Sequence, residues 1–293
     1  MIQRPLLASG DLSSTFTTAL TGRAIALMGE DPNEIHPNTA VAATWRKVSG
    51  ATKNLLSELR RLEGMGSNRG SADPSPIQTA LKAVLYDATE AFDLYQQAIP
   101  KRLEAGRPKK EVEAIRAHQA AGKRLRSPFA LMCNRLKHDH REIGTCLIRS
   151  RDTGASTWVF RIAANYGDLQ TADRDIHPKV GFISYERILH EVMHGLLRID
   201  HSAGQLVSSL ADNVSEAITL AGSSPLGLAD VLSDIGQRRP VCATDEPGLI
   251  DGIRVAGQVV DLARIVVTKV PEPTQRTMSA RADEVARNIQ MFR

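Results

Sequence analysis

The chain has 293 residues, of which 42% are hydrophobic and 24% charged, proportions that are ordinary for a folded globular protein. Its net charge of +4 permits anionic partners without requiring them, and an aromatic content of only 4% disfavours a surface that stacks on nucleic-acid bases. Three separated cysteines, no recognisable signal peptide and no long apolar run predict a cytoplasmic protein with no membrane association.

The first third of the chain predicts helices separated by irregular segments. Residues 1–38 carry one short helical patch, Phe16–Met28, followed by a loop rich in Pro and Asn. Apolar residues then recur at helical spacing over residues 39–64, and a Gly- and Ser-rich linker follows them. A second helix is predicted over residues 76–99, with Pro100 as its end.

The middle of the chain predicts two further helices on either side of a proline. The residues from 109 to 125 have the pattern of an amphipathic and strongly basic helix. Ser127 is a good N-cap and Pro128 suits the first position of a helix. We therefore expect a new helix to begin there and to continue to Ile143.

Beyond the basic region the periodicity changes from helix to strand. Two apolar runs on either side of a glycine-containing turn predict a β-hairpin over residues 145–165. A polar loop then leads to Ser184, the predicted N-cap of a helix over residues 185–201. Ser202–Gly204 marks a predicted break before a second helical stretch.

Together these elements predict a mainly α protein. Helices of this length with short connections are typical of a bundle. The predicted organisation is an N-terminal irregular segment with a short helix (residues 1–38), a helical bundle (residues 39–222) with the β-hairpin inserted at residues 145–165, and a small α/β C-terminal segment (residues 223–293).

Positive charge is concentrated in one part of the chain. Residues 101–141 hold twelve Lys and Arg against four acids, a local excess of eight that is larger than the surplus of the whole chain. Such a run is typical of a solvated helix face, and it is also what contact with a phosphate backbone requires. Under the second interpretation, the residues expected to bind nucleic acid are Lys123, Arg124, Arg126 and Lys137.

The segment CNRLKHDHREI lies at the end of this basic region. On a helix, Asn134, His138 and Arg141 fall at i, i+4 and i+7, so they form one stripe, with Arg135 beside it. A histidine can move the 2′-hydroxyl proton of RNA while nearby cations stabilise the charge that develops on the phosphate. The same residues are equally typical of a solvent-facing helix end, where cations favour the helix dipole.

The first part of this segment, CNRLKH, resembles the RNxxxH signature of HEPN-type helical proteins, and a looser similarity spans residues 39–222. In that family an Arg and a His of a bundle helix, usually paired across a dimer, cleave RNA without a metal. Asn134 matches the polar position and His138 the catalytic histidine, whereas Cys133 stands where the family has Arg. The resemblance implies an RNA-directed ribonuclease fold that is associated with defence or toxin systems, a homodimer and a cognate protein partner. It also makes ribonuclease activity depend on the nearby cations Arg135 and Arg141.

A second segment, HEVMH, matches the HExxH pattern of zinc enzymes. His190 and His194 lie one helical turn apart, about 6 Å along the axis, where both can ligate one zinc ion, with Glu191 as the general base. The segment locally resembles the gluzincin metallopeptidases, which implies Glu216 as the third ligand. An ordinary packed helix with histidines at the edge of its buried face has the same pattern.

The sequence thus supports three hypotheses. The leading one is an HEPN-like, RNA-directed protein that needs no cofactor and uses the stripe around His138. The first alternative is a zinc metallopeptidase that uses the HExxH helix. The second alternative is a non-catalytic interaction module that keeps the helices without chemistry.

Overall fold

The computed structural model of the chain describes residues 2–21, 35–65, 73–149, 156–177, 181–211, 225–238, 241–242 and 248–269. The protein is mainly α, as the sequence predicts, with long helices and small β-sheets packed around one hydrophobic core. Across these ranges, none of the helices combines the length and hydrophobicity that crossing a membrane requires.

Two long helices in the first third of the chain pack along each other. Helix α1 covers Thr15–Leu20, α2 covers Pro37–Gly64 and α3 covers Ser75–Asp93. Helices α2 and α3 are in extensive contact, and their buried residues recur at the spacing of one helix face. Both long helices lie where the sequence predicts them, because their apolar periodicity is strong.

The second long helix does not stop at Pro100, and that prediction is wrong. A π-helical turn, Leu94–Ala98, follows α3, and the chain continues as helix α4, Ile99–Glu104. Pro100 has no N–H group, so it cannot donate to the carbonyl of Tyr95 in this wider turn. Nε2 of the buried His118 donates to that carbonyl instead, at 3.1 Å. A side chain from another helix thus replaces the missing backbone donor.

Helix α5, Lys109–Lys137, is continuous, so the predicted boundary at Ser127 and Pro128 is also wrong. Pro128 lies inside the helix, and the Ser127 hydroxyl donates to the carbonyl of Lys123 at 2.7 Å rather than capping a new helix. The helix ends six residues before Ile143, the end that the sequence predicts.

Packing explains why the helix passes through this proline. A proline inside a helix costs about 3 kcal/mol, because it removes one hydrogen bond and crowds the preceding turn. Directly after it, the buried Phe129 stacks on Phe92 of α3, with the ring centroids 5.6 Å apart. Burial of one such side chain contributes about 2–3 kcal/mol, which offsets most of that cost.

The strands of the predicted hairpin region form a small sheet. Strand β2, Ile143–Arg149, and strand β3, Ser156–Asn165, pair antiparallel over seven residue pairs. Strand β4, Asp168–Ala172, and the short β5, Ile183–Ser184, also pair with β3. The sequence predicts a polar loop where β4 lies, because β4 is mostly polar and has no apolar alternation.

Helix α6, Tyr185–Ala211, begins at the predicted N-cap, where Ser184 Oγ accepts a hydrogen bond from the Arg187 N–H at 3.2 Å. The break predicted around Gly204 is absent. A Cβ atom at Gly204 would lie only 2.7 Å from the backbone of Thr15, so this glycine allows α1 to approach α6 closely. Its role is packing between helices, not termination.

The C-terminal segment packs against the N-terminal one. Helix α7 covers Ala229–Gln237 and is followed by strands β7, Leu249–Ala256, and β8, Val259–Val266. Strand β8 pairs with β7 on one side and with β1, Ile2–Pro5, on the other, and β7 packs on α6. The three segments predicted from the sequence are therefore in direct contact. Two short strands, β6 (Val241–Cys242) and β9 (Thr268–Lys269), pair parallel.

A buried carboxylate in α6 joins these parts. Asp200 is fully buried and lies 3.1 Å from the Arg4 guanidinium, which is itself buried. It also accepts hydrogen bonds from the Ser14 hydroxyl, the Thr15 N–H and the Tyr95 hydroxyl, at 2.6–2.8 Å. A buried charge is tolerated only with such partners, so this network fixes β1, α1 and the π-helical turn against α6.

Candidate nucleic-acid interface

The CNRLKHDH segment lies at the C-terminal end of α5. His140 has a φ of 52°, a left-handed conformation that few residues other than glycine adopt, and it turns the chain out of the helix. The N–H of Arg141 donates to the carbonyl of Arg135 at 3.0 Å across this turn. Arg141 is therefore no longer helical, and the predicted i, i+4, i+7 stripe is wrong at its third position.

Besides Asp139, four polar side chains are exposed at this end: Asn134, Lys137, His138 and His140. Among the described ranges, no ion pair involves any of them. The terminal carbonyls of α5 give this end a partial negative charge, which stabilises the neighbouring cations. A partner would thus meet a lysine, an amide and two imidazoles beside one exposed acid, Asp139, which pairs with Arg135.

Cys133, at the position where the HEPN signature has Arg, faces the opposite side of the helix. Its side chain is buried, and its Sγ lies 3.2 Å from the Thr89 hydroxyl of α3. Burial raises the pKa of the Cys133 thiol, so the group is a packed neutral side chain and not a nucleophile. The first position of the motif consequently contributes nothing to the exposed surface.

Arg135 is engaged by three carboxylates. Its Nη1 lies 2.8 Å from Asp139, its Nε lies 3.1 Å from Asp173, and its Nη2 pairs with Asp175. Hydrogen bonding to Asp139 and the charges of these acids raise the pKa of the Arg135 guanidinium. The arginine thus ties the end of α5 to the segment after β4, and its charge is compensated within the protein.

Arg141, the other cation that the resemblance brings into the site, is half-buried beside the sheet. Its Nη1 donates to the side-chain carbonyl of Asn165, the last residue of β3, at 3.1 Å. Its buried Nε has no hydrogen-bond partner among the described residues. Arg141 therefore connects the turn to β3, and its unpaired donor is buried rather than available to a partner molecule.

The predicted nucleic-acid contacts on α5 differ in accessibility. Lys123 and Arg124 are exposed, like Lys137, and the described part of the chain offers none of them an ion-pair partner. Arg126 is instead paired with Asp93 of α3, at 2.7 Å. No acidic residue occurs in the sequence between Glu113 and Asp139, so every formally charged side chain over this length of α5 is a cation.

The structure adds an aromatic ring that the sequence analysis did not single out. Tyr86 on α3 is one of the few exposed large apolar side chains, with 36% of its surface accessible. Burial of its inner part raises the pKa of the Tyr86 hydroxyl, and an electrostatic interaction with the Cys133 thiol adds to this, so Tyr86 lies close to the CNRLKH segment. No local pattern could identify it, because only the packing of α3 on α5 brings it there.

The two histidines of HEVMH lie in the core beneath β7. His190 and His194 are each 5% exposed, and the Ile253 N–H of β7 approaches His190 Nδ1 at 3.4 Å. Burial lowers the pKa of both imidazoles, to about 4 for His190. The apolar residues that the sequence assigns to the buried face of α6 are all buried: Tyr185, Ile188, Leu189, Val192, Met193, Leu196 and Ile199.

The described residues fit a zinc site only in part. They contain no group of three or more His, Cys, Asp or Glu side chains arranged to hold a metal ion. Glu191, the expected general base, accepts a hydrogen bond from Arg187 at 2.9 Å, and Glu216, the expected third ligand, lies outside the described residues. Two buried imidazoles one turn apart are the part of the predicted site that is present.

A polar groove of about 340 Å³ lies on another side of the molecule, between α2, α6 and α7. Arg238 bridges Glu63 and Asp234, and Arg60 pairs with Asp234, so these four charges compensate one another. Glu186, at the start of α6, also lines the groove, and burial raises its pKa to about 7. The groove is thus a network of internal ion pairs with one further carboxyl group.

Comparison of the chain with protein families, with curated proteins and with solved structures finds no match.

Proposed function

We propose that this chain is an HEPN-like, RNA-directed protein whose α5 surface binds RNA without cleaving it. The observation that carries the proposal is the series of exposed cations on α5, Lys123, Arg124 and Lys137, on a length of helix without any acid. Such a surface attracts the phosphate backbone and gains affinity through the release of its counterions. Asn134 and His138 lie at its end, where they can donate hydrogen bonds to RNA.

The chemistry of the site favours binding over catalysis. Metal-free cleavage of RNA needs a histidine to move the 2′-hydroxyl proton and a cation to stabilise the charged phosphate in the transition state. His138 is exposed, but the position of the signature arginine holds the buried Cys133, and Arg135 is compensated by three carboxylates. The exposed Lys137 can hold a phosphate, but it lacks the fixed fork of an arginine.

The arrangement of the helices supports the same family. Helices α2 and α3 pack together, α3 also packs on α5 and α6, and the paired strands β2 and β3 lie between α5 and α6 in the chain. We accordingly propose a helical bundle with an inserted β-hairpin, and a homodimer, as the resemblance implies. Sedimentation of the purified chain measures whether it is a dimer.

The binding of a labelled RNA hairpin, followed by fluorescence anisotropy, tests the proposal. We expect Lys137→Ala to weaken binding and to reduce its salt dependence by about one released ion. Arg254→Ala is the matched control, because Arg254 is also exposed on the described surface but lies on β7, away from α5. Equal losses in both variants would mean that binding follows net charge alone and would contradict a site on α5.

Incubation of the same RNA with the protein and a chelator separates binding from cleavage. We expect the RNA to remain intact. Cleavage by the wild-type chain that His138→Ala abolishes would establish a metal-free ribonuclease and overturn the binding-only proposal. Binding that is unchanged in Lys137→Ala, with an intact RNA, would favour the interaction module.

A further inference from the structure

Six exposed basic side chains along α5 occur in three adjacent pairs, and a further exposed cation, Arg116, is paired with Glu104 at 3.1 Å. Lys109 and Lys110 lie at its start, Lys123 and Arg124 near its middle, and Lys137 and His138 at its end. All six side chains are exposed, and within the described ranges none is held in an ion pair. We call these six residues the cationic face of α5.

The three pairs have a regular spacing. Each lies fourteen residues after the one before it in the sequence. Fourteen residues of α-helix rise about 21 Å and complete almost four turns, so each pair is rotated by only about 40° from the preceding one. The cationic face is therefore a nearly straight series of three charged points that spans about 42 Å.

Apart from Arg116, the exposed side chains between the pairs are mostly small and uncharged. Ala117, Ala120, Ala121 and Ser127 are exposed between the first and last pairs. Glu113 is the one exposed acid on the described surface of α5, and it lies beside the first pair. A broad, rigid anion can approach such a helix closely, and the middle pair carries two positive charges with no acid near it in the sequence.

We infer that the cationic face of α5 contacts the sugar-phosphate backbone of double-stranded RNA at three successive places. This inference rests on the RNA binding proposed above and specifies the form of RNA. A stiff helix and a stiff duplex each present their charges at fixed positions, so three contacts over this distance require little ordering of either partner.

A single strand fits the same surface less well. It would have to be ordered over about 42 Å, and proteins that bind single strands compensate for this ordering with aromatic rings on which the bases stack. Among the described residues, the exposed large aromatic side chains are Tyr86 and Tyr166. Tyr86 lies beside Cys133, and Tyr166 directly follows Asn165, which Arg141 contacts just beyond α5, so at most two bases could stack, both at the end of the helix.

The middle pair provides the decisive variant, because it is about 21 Å from Asn134 and His138. We expect Lys123→Ala/Arg124→Ala to bind a duplex RNA of about 16 base pairs roughly thirtyfold more weakly at 0.15 M salt, with a salt slope reduced by about two, as the loss of two phosphate contacts predicts. Arg46→Ala/Arg254→Ala is the matched control, since it removes two exposed cations outside α5 and should leave binding unchanged. Circular dichroism checks that both variants are folded.

Three further measurements use the same chain. The affinity of the wild-type chain should increase when the duplex is lengthened from about 8 to about 16 base pairs, because a short duplex cannot reach all three pairs. A single-stranded RNA of the same length and a DNA duplex of the same sequence should each bind more weakly than the RNA duplex. Equal or tighter binding of either one would overturn the assignment to double-stranded RNA.

The outcomes separate this inference from the proposed function. If Lys137→Ala loses RNA binding while Lys123→Ala/Arg124→Ala binds as the wild-type chain does, the proposed function stands and the three-point contact is wrong. If the wild-type chain binds none of these RNAs, the proposed function itself is wrong. Weaker RNA binding in both variants, with the expected dependence on duplex length, supports both the proposed function and the three-point contact.

Discussion

Five histidines of this chain fall into two groups with opposite surroundings. His138 and His140 lie exposed at the end of α5, whereas His177, His190 and His194 are buried beside the two sheets. The sequence presents NRLKHDH as the leading candidate and HEVMH as the first alternative, because each places histidines at helical spacing among suitable neighbours. The structure separates them by solvent access alone, which shows that a motif of ligand or catalytic residues indicates a site only where a partner can reach it.

The difference follows from what packs on each helix. Helix α6 is covered by β7 on one side and by the other helices on the opposite side, so the HEVMH histidines are enclosed and burial lowers their pKa values. Helix α5 lies at the edge of the helical layer and ends in a turn, so its last residues reach solvent. We therefore expect α6 to determine stability and the end of α5 to determine binding.

The largest expected effect on stability is that of replacing Asp200 on α6, and it tests this contrast directly. We expect Asp200→Ala to lower the free energy of unfolding by about 3–5 kcal/mol. The substitution leaves the buried Arg4 charge without its partner and removes the acceptor of three hydrogen bonds. Urea denaturation measures the change. If this variant does not fold, Asp200→Asn keeps the shape of the side chain and should show a smaller loss in the same direction.

Asp230→Ala is the matched control for that variant. Asp230 forms an exposed pair with Lys53, at 2.8 Å, and solvent screens such a pair strongly. Its replacement should change the free energy of unfolding far less than Asp200→Ala does. Similar effects in the two variants would mean that the Asp200 network does not hold α6 in place.

A second effect concerns the buried His177 and acid stability. Burial lowers its pKa to about 4 in the folded protein, whereas the unfolded chain takes up the proton near pH 6.5. Above pH 6.5 the imidazole is neutral in both states. As the pH falls from 6.5 to 4, only the unfolded state gains the proton, so the folded state loses up to about 3 kcal/mol of stability.

His177→Gln should remove this part of the pH dependence. A glutamine oxygen can still accept the hydrogen bond that the Ile162 N–H donates to His177 Nε2, at 2.9 Å. Chemical denaturation at several pH values measures the slope, and His138→Gln on the exposed end of α5 serves as the control. A slope that His177→Gln leaves at its wild-type value would contradict the burial of a neutral imidazole at this position.

The smallest expected effect is that of added zinc. One equivalent should leave the melting temperature unchanged, because His190 and His194 are enclosed beneath β7 and the described residues provide no third ligand beside them. Thermal melting with and without zinc is the measurement. A stoichiometric zinc ion that survives gel filtration, and is lost in both His190→Ala and Glu216→Ala, would instead establish the metallopeptidase alternative.

Local patterns predict the long helices well and the helix boundaries poorly. The periodicity of α2, α3 and α6 identifies each helix and its buried face, since an apolar stripe has to be covered. The boundaries at Pro100, Ser127 and Gly204 fail for reasons that lie elsewhere in the chain. His118 replaces a lost donor, Phe129 packs on Phe92, and Thr15 requires a glycine opposite it.

The candidate site divides in the same way. The basic character of α5 and the exposure of Lys123, Arg124 and Lys137 follow from the sequence, because such residues stay in water when no acid lies near them. The neutralisation of Arg135 does not, since two of its three acids are almost forty residues away in the chain. The pairing of Arg126 with Asp93 on α3 could not be predicted from a local pattern either.

By itself, the sequence determined that this is a mainly α protein with one strongly basic helix and two histidine-bearing segments. Those properties depend on periodicity and charge, which a chain carries before it folds. Only the tertiary structure decided which cations remain uncompensated, which histidines reach solvent and that Cys133 faces the core. Each of these depends on a contact between residues far apart in the chain, and such contacts exist only once the helices have packed.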